Sequence, residues 1–177
     1  ARRQRQMCIR DSDSLEPFFK RASETGSGLF ILAHTSNKGS KDIQEMPLTI
    51  GIKCYEHLAN ILKPIVEKHK GTSGLSSIGI VSGATFKEEA LTLRKILPSA
   101  PFLIPGYGIQ GGSAEDACAP LIPDTKHRDL QNFGLINASR SISFPAESYL
   151  VKNIEEWQNI ILTKINSTNN ELMNINH

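Results

Sequence analysis

The stretch that most constrains this chain is residues 102–115, FLIPGYGIQGGSAE. An apolar run of Phe102, Leu103 and Ile104 stops at Pro105. Four glycines, Gly106, Gly108, Gly111 and Gly112, follow within seven residues, and Ser113 then opens a helix-like segment. Glycine admits the left-handed backbone that a tight strand-to-helix turn demands, and it leaves peptide N–H groups uncovered. Such a turn is expected to aim those N–H groups at an anion, with the Gln110 carboxamide as a further donor. A plain turn is the competing reading, because glycine clusters mark turns wherever they occur. One glycine satisfies a turn; four favour a phosphate.

The spacing Gly106-x-Gly108-x-x-Gly111 also fits the dinucleotide fingerprint, which requires a second strand ending in an acid roughly 20 residues on. Asp124 lies at about that distance, but the segment before it is APLIP. Pro120 and Pro123 leave almost no room for a central parallel strand, so the Rossmann context fails.

Elsewhere the chain alternates apolar runs with helical periodicity. Leu15, Phe18, Phe19 and Ala22 share one helical face, and Gly26 and Gly28 stop it. LFILA (29–33) reads as a strand buried on both faces, ending in the polar cluster 34–39. Leu58, Ile61, Leu62, Ile65 and Val66 predict an amphipathic helix, with Pro64 a candidate kink. Residues 78–81 predict another buried strand. Thr85 and Glu88 have capping-box spacing for a helix lined by Ala90, Leu93 and Leu97. Residues 133–138 give a fourth strand. A last helix is expected over 146–165, burying Leu150, Ile154, Trp157 and Ile161, before a polar, Asn-rich, frayed tail.

Strands and helices in alternation specify an α/β protein with a parallel sheet. Each strand ends in small or polar residues, and the last two ends carry the glycine turn and Arg140. A (β/α)8 barrel collects its active site at the strand C-terminal ends, commonly with a phosphate site after strands seven and eight. The order therefore predicts the second half of such a barrel.

Net charge is +2 and the basic residues are scattered, which argues against nucleic-acid or membrane partners. Cys8, Cys54 and Cys118 lie far apart with no metal spacing, and no apolar run nears the ~20 residues of a membrane span. A cytoplasmic location is expected. Residues 1–12, ARRQRQMCIRDS, carry four arginines and almost no apolar face, and are expected to be a non-native, adaptor-like tail. The folded unit is then 13–168, with 169–177 a polar tail.

Four pieces together, HTSNKGS (34–40), SGATFKEEALTLRKILP (82–98), FLIPGYGIQGGSAED (102–116) and GLINASRSI (134–142), resemble the orotidine 5'-phosphate decarboxylase family in its longer bacterial-type branch. The resemblance covers most of 14–144 and places these pieces on strands five to eight of a TIM barrel, its C-terminal half. It implies a carboxy-lyase of de novo pyrimidine biosynthesis that converts orotidine 5'-phosphate to UMP and CO2. No cofactor and no metal are implied, and the parent enzyme is expected to be a homodimer.

Carried onto this chain, the resemblance gives Ser36 the pyrimidine's amide edge, although Ser36 also suits capping the turn after its strand. Gln110 and Arg140 would hold the 5'-phosphate, with the backbone of Ser139 and Arg140 completing the cradle. Pro105 would stiffen the base of the loop. Tyr107 would cover the phosphate or stand as a surface aromatic. The family's catalytic Lys sits in an Asp-x-Lys-x-x-Asp network at the third strand's end. Asp124-Thr-Lys126-His-Arg-Asp129 has that spelling but lies between the last two strands in a polar run, and charged runs are usually solvated faces. No catalytic residue is therefore assigned in this chain; the network is expected in a missing N-terminal half. Two other classes stay open: another phosphate-binding barrel enzyme, and a non-catalytic module that binds phosphate ligands.

Overall fold

The computed structural model describes residues 12–123, 131–132 and 134–175. The Asp124–Asp129 motif, Phe133 and residues 1–11 lie outside these residues. In chain order the elements are α1 (Ser12–Thr25), β1 (Leu29–His34), α2 (Cys54–Lys68), β2 (Ile78–Ser82), α3 (Lys87–Ile96), β3 (Phe102–Pro105) and α4 (Ala114–Cys118). Then come β4 (Ile122–Pro123), β5 (Gln131–Asn132), β6 (Gly134–Asn137), α5 (Arg140–Ser143) and α6 (Ile154–Asn174). Short 3-10 turns occupy Lys38–Asp42 and Ala146–Leu150.

The four expected strands form one sheet in the order β1-β2-β3-β6, every pair parallel, and β4 and β5 make a separate antiparallel pair. Alternation along the strands sends Ile31, Ala33, Ile78, Ile80, Phe102 and Ile104 to one face. There they meet Leu15 and Phe19 of α1, Leu58, Leu62 and Val66 of α2, and Leu93 of α3 in a single apolar core. The apolar stripes anticipated on α1, α2 and α3 thus cover one side of the sheet.

The opposite face differs from expectation. LFILA reads as a strand buried on both sides, yet Phe30 and Leu32 are 43% and 40% exposed and Leu135 is 62% exposed. Pairing aligns Leu32, Val81, Leu103 and Leu135 in one row across all four strands. A parallel strand is apolar throughout when both its faces are covered; among the described residues the helices cover one.

Two local expectations fail for identifiable reasons. Thr85 does not cap α3, whose N-cap is Phe86; its hydroxyl donates instead to the Ser36 carbonyl at 2.8 Å. The last helix begins later and runs further than 146–165. Asn153 accepts from the Glu156 N–H at 2.9 Å and sets the start of α6 there. Leu150 and Ile154 are consequently exposed, and Trp157 and Ile161 half-buried. The Asn-rich end expected to fray is helical through Asn174.

Arg94 fixes the far end of the layer. Its guanidinium is buried and donates to the carbonyls of Pro120 (2.8 Å), Ala100 (2.7 Å), Pro98 (3.2 Å) and Leu97 (3.3 Å), while lying 3.8 Å over the Phe102 ring. Burial lowers its pKa to about 10, which still leaves it charged at neutral pH. One planar fork thereby joins the end of α3, the turn into β3 and the end of α4. Arg94→Met should cost about 3 kcal/mol or more in urea unfolding, because buried carbonyls lose a charged donor. Arg94→Lys should recover less than half of that loss, since an ammonium cannot reproduce the fork.

Candidate functional site

Because all four strands run parallel, their C-terminal ends share one rim. The register Pro105↔Asn137 sets the glycine turn after β3 beside the Ala138-Ser139-Arg140 segment after β6. Between them opens a cavity of about 160 Å³ whose lining includes Pro105, Gly106, Gln110, Asn137, Ser139 and Arg140. Four of the five residues singled out from sequence thus border one space. The fifth, Ser36, lies behind Gln110, and its hydroxyl donates to Gln110 Oε1 at 2.7 Å. With that oxygen engaged, the Gln110 Nε2 keeps its two N–H groups for another acceptor.

The turn is built differently from the bare cradle expected of it. Gly106, Gly108 and Gly111 all have positive φ, and at Gly106 a Cβ would stand 2.6 Å from Ser36 Cβ. Three of the four glycine N–H groups are used inside the turn: Gly108 donates to Gly112 O, Gly111 to Gly108 O and Gly112 to Gly106 O, at 2.8–3.1 Å. Turn geometry accounts for these glycines without a ligand. Side-chain donors at the cavity wall that stay available to an anion are Gln110, Arg140 and the Ser141 hydroxyl. Ser139 Oγ itself donates to Asn137 Oδ1 at 3.2 Å.

Tyr107 is among the residues that line the cavity and is not a surface aromatic. Its side chain is buried and its phenol donates to Glu171 Oε2 of α6 at 2.7 Å. Burial, reinforced by the Glu171 carboxylate, raises its pKa to about 12.

Ser36 is half-buried and is held by several neighbours. A Cβ on Gly83 would lie 2.6 Å from its N and Cα, Thr85 binds its carbonyl, and Gln44 Oε1 accepts from the preceding Thr35 N–H at 2.8 Å. Gln44, Asn137, Ser141 and Glu171 are not distinguished in the sequence from ordinary polar residues, and Thr85 is distinguished there only by its capping-box spacing.

Beside this seat, His34 is fully buried, edge-on to the rings of Tyr55 and Phe86. Its Nε2 is 3.5 Å from Glu45 Oε1, and Lys53 bridges Glu45 (3.3 Å) and Glu89 (3.4 Å). None of these groups borders the cavity; the cluster fastens residues 43–53 over the end of β1. Lys41 is instead 5.4 Å over the Phe86 ring. Among the described residues no three His, Cys, Asp or Glu side chains are placed to share a metal ion.

Two measurements probe this construction. Gly106→Ala should destabilise the chain by about 2–4 kcal/mol in urea, combining left-handed strain with the clash at Ser36, and Gly111→Ala by only about 1–2, since nothing lies within 4 Å of its added methyl. Burial holds the His34 pKa below its ordinary 6.5 despite Glu89 and Glu45. The unfolded chain therefore takes up a proton that the folded chain resists, and stability present above 6.5 is lost as pH falls through the lower folded value. The urea midpoint should fall on acidification below 6.5, and His34→Gln should flatten that fall.

Residues 6–145 match the model of the orotidine 5'-phosphate decarboxylase / HUMPS family. The chain is 44% identical over 130 residues to orotidine 5'-phosphate decarboxylase of Clostridium tetani, covering 73% of this chain and 43% of that protein. The enzyme of that name from Haloarcula marismortui is 40% identical over 138 residues, covering 76% and 43%. The chain thus spans less than half the length of these curated relatives. Among solved structures, Leishmania donovani OMP decarboxylase superposes with a TM-score of 0.56 at 29% identity, over 85% of this chain and 54% of that one. Leishmania donovani UMP synthase gives 0.57 at 30% identity, over 87% and 31%. The four-stranded parallel α/β unit matches part of the TIM-barrel structures of this family, and the chain belongs to the orotidine 5'-phosphate decarboxylase / HUMPS family.

Proposed function

We propose that this chain is the phosphate- and pyrimidine-binding part of an orotidine 5'-phosphate decarboxylase, corresponding to strands five to eight, the C-terminal half, of its barrel. The observation that carries the proposal is the shared cavity between the glycine turn and Arg140 on adjacent strands. Arg140 offers a permanently charged fork to the 5'-phosphate, and Gln110 offers a carboxamide turned by Ser36 so that its N–H groups are available. The backbone N–H of Ser139 adds a donor, Pro105 fixes the base of the turn, and the Ser36 oxygen keeps lone pairs for the pyrimidine's amide edge.

In the complete enzyme the reaction loses CO2 from C6 of the orotate ring and returns a proton to that carbon. A Lys between carboxylates stabilises the developing charge and delivers the proton. That network belongs to the part of the relatives' length that this chain does not span. The phosphate, remote from C6, supplies binding energy that assembles the site and excludes water from the reacting carboxylate. The whole protein would act as a homodimer without metal or cofactor.

In the protein at its relatives' full length, Arg140→Ala should lower kcat/KM for orotidine 5'-phosphate by about 30- to 5000-fold, the loss expected for a desolvated charge contact of about 2–5 kcal/mol. Turnover of orotidine, which lacks the phosphate, should be nearly unchanged. Equal losses for the two substrates would remove Arg140 from the phosphate site.

A further inference from the structure

The family match ends at residue 145, yet α6 (Ile154–Asn174) returns to the glycine turn. Tyr107 is flanked by Gly106 and Gly108, both left-handed, so the turn's backbone is anchored at that point by the tyrosine side chain. Ile109 and Gln110 are exposed, and Tyr107 is the buried large side chain of the turn. Its phenol meets Glu171 at 2.7 Å and also contacts the Thr168 hydroxyl. Thr168, Glu171 and Leu172 stand at i, i+3 and i+4 and share one face of α6. The Leu172 carbonyl accepts from Cys118 Sγ at 3.8 Å, so the same face also touches α4, which follows the turn.

We propose that Glu171 is a positioning residue: through the Tyr107 phenol it straps α6 to the glycine turn and holds the turn's backbone in place. A charge-assisted bond from a buried phenol is stronger than a neutral one and is directional, so it fixes where the ring lies and hence the backbone between the two glycines. The consequence for ligands rests on the phosphate role proposed for the turn; the strap itself does not.

Hydrogen exchange on the full 177-residue chain tests the strap directly. Glu171→Ala should speed exchange of the amides in 106–113 by about tenfold, whereas Glu171→Gln, which keeps an acceptor, should stay within about twofold of the parent. Amides of β2 should be unaffected. Tyr107→Phe should match Glu171→Ala, and the double variant should go no further. In the protein at its relatives' full length, Glu171→Ala should weaken UMP by a similar factor and leave uridine unchanged. Unchanged exchange in 106–113 overturns the strap, as does equal acceleration in β2, which would mark a general loss of stability. Faster exchange in the turn with unaltered UMP affinity supports the strap and removes the phosphate role instead.

Discussion

The site depends on how little room surrounds Ser36. A Cβ at Gly83 or at Gly106 would come within 2.6 Å of it, so three strand ends can meet there because two of them lack side chains. Backbone bonds then close the junction: Gly83 N–H donates to His34 O, and Ala84 N–H to Pro105 O, at 2.8–2.9 Å. Thr85 and Gln110 complete it by gripping the Ser36 carbonyl and hydroxyl. The hydroxyl is thereby oriented by groups from the ends of β2 and β3, and the carboxamide that it turns reaches the cavity beside β6. A displacement at any of these ends would be transmitted to Gln110, since packed interiors carry strain instead of absorbing it.

Much of this was legible before any coordinates, for physical reasons. Apolar runs of four or five residues bounded by Gly and Pro mark buried strands, and the order of the four was readable because parallel strands need intervening helices. The glycine turn and Arg140 stood out because both follow such runs. What misled was the inference from glycine number to bare N–H groups. Gly108, Gly111 and Gly112 use theirs within the turn, and positive φ explains why three of the four must be glycine. Conformational demand and ligand demand select the same residue, and composition cannot separate them.

The other misreadings come from contacts distant in the chain. Thr85 and Glu88 have capping-box spacing, but a hydroxyl bonds the best acceptor in reach, and the fold brings the Ser36 carbonyl there from 49 residues away. The Asn-rich end of α6 has a sequence that frays in isolation, and its contacts with Tyr107 and Cys118 are invisible to any local window. Phe30 and Leu32 read as doubly buried because their sequence suits a sheet with two covered faces, while the described residues cover one.

Arg94 and Arg140 show why residue type alone does not assign a site. Both follow apolar segments, and both carry a fork suited to oxyanions. Arg94 is saturated by four carbonyls and an aromatic face, so a ligand could claim it only by unpairing the junction of α3, β3 and α4. Arg140 is exposed at the cavity wall, and among the described residues no carboxylate forms an ion pair with it. A cation at the rim with no carboxylate ion-paired to it can still attract an anion, and the Gln110 N–H groups beside it would give that attraction a direction. Burial makes one arginine a rivet, and exposure beside a shaped turn leaves the other available to a ligand.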